Sequence, residues 1–369
     1  MPPLRIPDAD GERLKSIGYE PSAERPSFLM KDEEVSDLKN PLSGVEILPF
    51  KAIFERDDLA RYRDLLWSLV PRDKDDVTKE VFEQEHSGRY LGYFLRVKEG
   101  VKLDEPMQAC FYIKATRFVQ KVHNLIVVEK GARAHIYNGC ATASYQVVSQ
   151  HWSVTEMFVE DGAEFSYTMI HDWGPKVRVF PRTAVRVGED ASFVSVYVNL
   201  KPSELVESAP VVRLGKSAFG GLYTVLLVNP GARFDLGGKL IFEGEGSSGE
   251  IISRIVSEGG EVVSRGDLVA RARRVRGHME CSAVLLSQNA RVVTVPAIDS
   301  LEPSAFLSHE AFTGQIAREQ ISYLMARGFS EEEARNIILR GFLTIPNIKI
   351  PENLKKEIEE VVAQSLEGF

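Results

Sequence analysis

Gly131-Ala132-Arg133-Ala134 combines a turn with the start of an extended run, and this pattern recurs along the chain. In each copy, a residue that tolerates a positive φ angle precedes a small side chain, and residues typical of a strand follow. The further copies lie at residues 162–165, 190–193, 231–234 and 289–292. A turn and strand repeated in this way predict a solenoid of stacked coils.

The spacing of the pattern is close to thirty residues. Its small residues are Ala132, Ala163, Ala191, Ala232 and Ala290. The successive intervals are 31, 28, 41 and 58 residues, and the last is twice 29, with Gly260 in the skipped position. The 41-residue step breaks the register. A period of this length favours a β-helix, and a jelly roll, whose strands also recur evenly, remains the alternative.

The periodicity divides the chain into three regions. Residues 1–89 are predicted to be helical or irregular, residues 90–306 to form a parallel β-helix core, and residues 307–369 to form a helical segment. The predicted fold class is therefore mainly β, with a solenoid flanked by helical segments at both ends.

Several helices can be predicted locally. Asp57 and Asp58 are a candidate N-cap pair for an amphipathic helix on Tyr62, Leu65, Leu66 and Leu69. After residue 307 we expect two short helices, the second opening with a capping box of Ser330 and Glu333. A third, charged helix is predicted over residues 351–366.

Charge and composition exclude some functions. The net charge of -8 is unfavourable for a surface that neutralises phosphates, and the basic run at residues 271–276 would place its arginines on both faces of a strand. The chain starts without an apolar leader, and no run of about 18 apolar residues occurs. We therefore expect a cytoplasmic protein that binds neither nucleic acid nor membrane.

The three cysteines, Cys110, Cys140 and Cys281, are too few and too far apart for a disulfide framework. Cys281 lies on a predicted strand or at its entry, where a single cysteine is usually a small buried hydrophobe. A thiolate that binds iron needs an electropositive setting, for which Arg276 and His278 are the nearby candidates. Both interpretations of Cys281 remain open on this ground.

Two catalytic motifs are incomplete. Gly215-Lys216-Ser217 resembles the end of a phosphate-binding loop, but Pro210 occupies the position of the first glycine. His309-Glu310 begins like a zinc-protease helix, but Thr313 stands where the second histidine is required. We therefore expect no enzyme, and any ATP hydrolysis would belong to another chain.

The C-terminal third resembles the closing region of the SufB/SufD family. The matching segments are residues 281–287, 308–313, 319–328 and 330–334. A second resemblance, to the first coils of the family's β-helix, covers residues 124–140 and 161–173. The likeness extends over roughly residues 90 to 345.

This resemblance implies a right-handed parallel β-helix that acts as a paired scaffold for iron-sulfur cluster assembly. Cys281 matches the SufB-type cysteine that holds the nascent cluster, Cys140 the one that accepts sulfur, and Glu310 a SufB-type glutamate. His309 matches the histidine that SufD contributes at the subunit interface. Family complexes also imply a sulfur donor and, in some cases, a reduced flavin.

The chain combines features of both subunits, because it carries Cys281 and Glu310 in the SufB manner and Ser308-His309 in the SufD manner. This suggests a homodimer in which Cys281 of one chain meets His309 of the other. The resemblance also implies a SufC-type ABC ATPase, docked on residues 317–342, whose closure would open the dimer. We expect the apolar face at Leu324 and Ile338 to make this contact.

Three alternatives remain. The chain could be a SufD-like partner that regulates the ATPase without carrying a cluster, it could pair with a SufB-type chain, or it could be a β-helix enzyme acting on polysaccharide.

Overall fold

Two long sheets face each other in the computed structural model, which describes residues 8–143 and 146–344. Sheet 1 contains ten strands and sheet 2 eleven. The strands of sheet 1 are β1 (Ser27–Lys31), β2 (Glu34–Lys39), β5 (Met107–Ile113), β7 (Arg133–Thr142), β9 (Glu164–Asp172), β11 (Ser192–Asn199), β14 (Phe219–Val228), β17 (Ser248–Ser257), β19 (Arg276–Leu285) and β21 (Phe306–Gly314). Those of sheet 2 are β3 (Val45–Pro49), β4 (Tyr93–Val97), β6 (Phe118–Val128), β8 (Ser149–Val159), β10 (Gly174–Val187), β12 (Ser203–Ser208), β13 (Val211–Leu214), β15 (Arg233–Leu236), β16 (Lys239–Phe242), β18 (Gly260–Ala270) and β20 (Ala290–Ser300).

Successive coils of the chain contribute to the two sheets alternately and pair in parallel. Arg133 on β7 is opposite Glu164 on β9, and Glu164 is opposite Ser192 on β11. Because paired residues of parallel strands point to the same side, equivalent side chains form rows along the solenoid. Every second residue faces the space between the sheets, where a single apolar core extends from β1 to β19. The predicted β-solenoid is confirmed.

The corner that enters sheet 1 explains the repeat. At the six corners from β7 to β19, a residue with positive φ precedes a buried side chain, and these residues are Gly131, Gly162, Asp190, Ser217, Gly246 and Arg274. Asp190 and Ser217 take the same conformation as the glycines, with φ of 52° and 55°. The segment Gly215-Lys216-Ser217 is thus a solenoid corner, as its incomplete phosphate-loop motif suggested.

The break in register has a topological cause. Gly231 and Gly260 also have positive φ, but they lie at the opposite corner, which enters sheet 2. The similar sequence at Ala232 therefore marks a different corner from that at Ala191, whose next equivalent is Ala218. The period itself continues without interruption.

The described helices pack on the outer faces of the sheets. α1 (Asp8–Ser16) and α5 (Glu331–Leu343) cover sheet 1, whereas the segment carrying α3 (Asp76–His86) covers sheet 2. The remaining helical elements are α2 (Ala52–Glu55), a 3-10 helix (Asp57–Leu65) and α4 (Arg318–Met325). A helix with the length and apolar character needed to cross a bilayer is absent from the described part of the chain.

The N-terminal region differs from the prediction. Strands β1, β2 and β3 lie within residues 1–89 and join the two sheets. There, β2 pairs antiparallel with β1 and β3 pairs antiparallel with β4, so that they close the first coils. The amphipathic helix predicted behind Asp57 is instead a 3-10 helix that ends at Leu65, and it has no side-chain cap. β1 and β3 were missed because β5 and β4, the strands that join them to the sheets, are distant in sequence, and β2 was missed because its residues are mostly exposed and few of them are apolar.

The prediction that the chain becomes helical at residue 307 is also wrong, because β21 extends the solenoid to Gly314. The two short helices that follow are confirmed as α4 and α5, and the capping box of Ser330 and Glu333 is present. The helix predicted over residues 351–366 lies outside the described residues.

The two ends of the solenoid are unlike. At the N-terminal end, antiparallel strands cover the first coils. At the other end, β20 pairs only with β18 and β21 only with β19, so both have an unpaired edge in the described chain. Large apolar side chains are exposed on this last coil, among them Ile298, Leu301, Phe306 and Phe312. Such an edge is normally covered in an assembly.

Candidate functional site

Cys281 lies on β19 and points into the solenoid, next to the last coil. Its side chain belongs to the interior core and is 2% exposed. The Ser264 hydroxyl donates a hydrogen bond to its sulfur at 3.8 Å. Burial raises the pKa of the Cys281 thiol, so the thiol form is favoured in the single chain.

The residues expected to make this setting electropositive point elsewhere. Arg276, His278 and Glu280 alternate with Cys281 along β19 and therefore lie on its outer face. There, the Arg254 guanidinium lies 2.5 Å from the Glu280 carboxylate and lowers its pKa. The suggestion that Arg276 and His278 activate Cys281 is therefore wrong for the isolated chain.

His309 shares a face with Cys281. It lies on β21, opposite Met279 of β19. Ala311 is opposite Cys281, and His309 lies two residues before Ala311 on the same strand. Residues two apart on a strand point to the same side. The His309 Nε2 atom is buried and has no hydrogen-bond partner among the described residues. The structure thus brings the predicted thiol and imidazole to one surface of adjacent strands.

Glu310 lies on the opposite face. It is opposite Glu280 in the parallel pair and is exposed. A carboxylate on the outer face is separated from the Cys281 side chain by the strand itself. The three predicted ligands therefore do not converge within one chain.

Cys140 is buried in the interior at a distance from these residues. It lies on β7, five strand spacings from β19, which is about 24 Å. The Asn138 side chain donates a hydrogen bond to its sulfur at 3.6 Å. Burial raises the pKa of the Cys140 thiol well above its usual range.

Two internal cavities occupy the space between Cys140 and Cys281. One, of about 10 Å³, is bordered by Cys140 and Tyr167. The other, of about 40 Å³, extends from Tyr167 to Ser264, which contacts Cys281. Both cavities are lined by Tyr167, Met169 and Thr183, so they adjoin.

Within residues 8–143 and 146–344 of one chain, no group of three or more His, Cys, Asp or Glu side chains is placed to hold a metal ion. The candidate ligands present are the pair Cys281 and His309, which lie on β19 and on β21 of the uncovered last coil.

Comparison with known proteins identifies the family. Residues 111–342 match the family described as SUF system FeS cluster assembly, SufBD core domain. The chain belongs to the SufBD family. All four predicted site residues of this SufBD protein lie within the matched segment.

Relatives with the same description cover most of the chain. An iron-sulfur cluster assembly SufBD family protein of Archaeoglobus fulgidus is 35% identical over 96% of this chain and 94% of its own length. One from Methanothermobacter thermautotrophicus is 32% identical over 99% of this chain and 89% of its own. One from Staphylococcus epidermidis is 30% identical over 86% and 68%.

Sequence reasoning missed the polar residues around Cys140 in this SufBD protein. Asn138 and His171 border the same cavity as Cys140, and His171 is opposite Cys140 on the next strand. The signal that could have found His171 was the coil period, since it follows Cys140 by 31 residues.

Proposed function

We propose that this protein is a scaffold on which an iron-sulfur cluster is assembled as cargo, at a site formed where the open ends of two solenoids meet. The observation that carries this proposal is the shared inward surface of Cys281 and His309 at the uncovered end. The family of the chain supports the same function.

Thiolate and imidazole are both iron ligands, and a mixed set changes the stability of the bound cluster. Cys281 must lose its proton when iron binds, and its burial makes that loss unfavourable without the metal. The unpartnered His309 Nε2 is available as a second ligand. One thiolate from one chain and one imidazole from the other, at each of two symmetric positions, would hold a cluster weakly enough for transfer.

A homodimer accounts for the open end. A two-fold axis places the same surface on both partners, and the exposed apolar side chains of β20 and β21 suit such a contact. Cys281 of one chain then meets His309 of the other. Glu310, on the outer face, contributes from the partner across the axis.

Sulfur enters this scheme at Cys140. The adjoining cavities support a route inside the solenoid from Cys140 past Tyr167 to Ser264 and Cys281. A separate donor supplies the sulfur.

A SufC-type ABC ATPase is the proposed partner of the C-terminal helices. The apolar side chains exposed there are Tyr323, Met325, Phe329 and Ile337. ATP-driven closure of two ATPase copies would separate the two solenoid ends and open the cluster site. The scaffold itself carries out no turnover, and a reduced flavin in the complex remains a proposal.

The three cysteines are free, which supports the proposal of a reducing, cytoplasmic compartment. The burial of Cys281 favours a second candidate function, in which the chain is a SufD-like regulator of the ATPase, alone or paired with a SufB-type chain.

Anaerobic loading with ferrous iron and sulfide tests the proposal. The wild-type protein should gain visible absorption and bound iron, and Cys281→Ala should lose both. Cys110→Ala is the matched control, because Cys110 is equally buried but lies on the outer side of sheet 1. Equal loading of Cys281→Ala and wild type would refute a cluster at Cys281. If the wild type does not load but binds the ATPase, the regulator is the correct function.

A further inference from the structure

Cys140 has a histidine as its direct neighbour inside the solenoid. Cys140 on β7 is opposite His171 on β9, so both side chains point to the interior from adjacent strands. Both border the small cavity that the proposed sulfur route includes. The fold therefore places an imidazole beside the sulfur-accepting thiol.

Among the described residues, only one ring nitrogen of His171 has a hydrogen-bond partner. Nδ1 is hydrogen-bonded to the Tyr197 hydroxyl at 3.0 Å. Nε2 is buried without a hydrogen-bond partner among the described residues, and the residue is 2% exposed. The Tyr197 hydroxyl also accepts a hydrogen bond from the Asn199 amide at 3.2 Å. A buried nitrogen left unpaired is costly unless it has another function.

The cavity favours neutral groups at rest. No Asp, Glu, Lys or Arg borders it among the described residues. Burial raises the pKa of Cys140 and lowers the pKa of His171 well below its usual range. The resting pair is consequently a thiol beside a neutral imidazole, which is the protonation state that a general base requires.

We propose that His171, in the tautomer whose Nδ1–H donates to the Tyr197 hydroxyl, accepts the proton of Cys140 through Nε2 as this sulfur attacks an incoming sulfane sulfur. The proposal rests on the proposed function, in which Cys140 accepts sulfur. The hydrogen bond that Asn138 donates to the Cys140 sulfur stabilises the negative charge that develops there. His171 and Asn138 together make a buried cysteine reactive where burial alone would make it inert.

The step balances with a persulfide or inorganic disulfide as the sulfur donor. The Cys140 S–H bond breaks and its proton moves to His171. The sulfur then forms an S–S bond with the terminal sulfur of the donor, whose own S–S bond breaks. The leaving thiolate or hydrosulfide takes the proton from His171, so no external oxidant or reductant is needed.

The other titratable groups near Cys140 and His171 are one histidine and three tyrosines. His151 borders the cavity from β8, and Tyr93, Tyr167 and Tyr197 face Cys140 from β4, β9 and β11. Burial raises the pKa of all three tyrosines, and burial lowers the pKa of His151 to about 3. None of them changes its charge near neutral pH.

Persulfide formation at Cys140 tests the inference. The full-length protein is treated anaerobically with sodium disulfide, and persulfide at each cysteine is quantified by mass spectrometry. His171→Gln should form persulfide at Cys140 about 100-fold more slowly, in line with the loss of a general base. His135→Gln is the matched control, since His135 is buried on the outer face of β7 and bonded to Thr168. It should leave the rate unchanged.

The pH profile supplies a readout that needs no variant. Iodoacetamide alkylates cysteine and has no titratable group of its own. The rate at which it alkylates wild-type Cys140 should be nearly independent of pH from about pH 6 to about pH 9, because the thiol and the neutral imidazole persist throughout. A rate that rises about tenfold per pH unit, as for a thiolate formed by hydroxide, would overturn the role of His171.

The possible failures are distinguishable. If wild-type Cys140 gains no persulfide, the sulfur route through Cys140 is wrong, and the inference falls with it. If wild-type Cys140 gains persulfide at the same rate as His171→Gln, only the inference is wrong.

Discussion

At the scale of single residues, His123 holds the N-terminal segment on sheet 2. Its Nδ1 lies 2.7 Å from a Glu85 carboxylate oxygen and its Nε2 lies 3.1 Å from Glu156. Glu156 also accepts hydrogen bonds from the backbone N–H groups of Trp67 and Leu69. Burial lowers the pKa of His123, but the two carboxylates outweigh this and raise it to about 9. The buried imidazolium is therefore part of the fold.

This histidine predicts a loss of stability in alkali. Its folded pKa of about 9 exceeds the value of about 6.5 for an unfolded chain. Its contribution is fully present below about pH 6.5 and is lost as the pH rises through about 9, with a total of about 3 kcal/mol. Urea unfolding should show a larger decrease in stability between pH 7 and about pH 10 for wild type than for His123→Gln. Equal decreases would show that His123 is neutral in the folded protein.

The resemblance could predict which residues form the candidate site, but it could not predict which way they face. Cys281, His309 and Glu310 were all identified from motifs, whereas their orientation depends on the register of β19 and β21. A shift of one residue in that register would exchange the faces of His309 and Glu310. Only the paired strands determine that His309 is the inward neighbour of Cys281.

At the scale of elements, the C-terminal helices were predictable because their signals are local. Ser330 and Glu333 form a capping box, and Gly328, with φ of 98°, follows α4. β21 was not predictable in the same way, because its sequence has no strict alternation of apolar and polar residues and it becomes a strand by pairing with β19.

The structure also changes which apolar face of these helices is available to a partner. Leu324 and Ile338, the residues expected to dock the ATPase, are half-buried, whereas Phe329 and Ile337 are exposed. Leu339 is buried against the outer face of sheet 1. We therefore propose the exposed pair, Phe329 and Ile337, as the docking surface.

We predict that Phe329→Glu combined with Ile337→Glu weakens binding of a SufC-type ATPase at least about 100-fold, as expected for loss of central apolar anchors. The melting temperature should change little, because both side chains are exposed. Leu339→Ala is the contrasting variant and should destabilise the protein by about 2 kcal/mol or more. Isothermal titration calorimetry and thermal unfolding measure the two effects. Undiminished binding by the double variant would mean that the ATPase docks elsewhere.

At the scale of the whole molecule, the period predicted the solenoid but not its ends. Corner residues recur at similar intervals because successive coils turn in the same place, and this near-regularity is visible in sequence. The closed N-terminal end depends on the antiparallel pairing of β2 with β1 and of β3 with β4, and this pairing has no periodic signal in the sequence. The open end became apparent only from the unpaired edges of β20 and β21.

At the open end, we propose that a cluster is held between two chains by Cys281 of one and His309 of the other. A hybrid dimer of a Cys281→Ala chain and a His309→Ala chain retains one intact pair if the ligands come from different chains. It retains none if they come from the same chain. Neither parent homodimer retains a pair in either case.

The most direct measurement is the iron bound per dimer after anaerobic loading of this hybrid, purified through a different tag on each chain. Ligands shared between the chains predict iron at about half the wild-type level, because one of two symmetric pairs survives, with both parent homodimers near zero. A hybrid that binds no more iron than its parents would contradict a site shared across the two-fold axis.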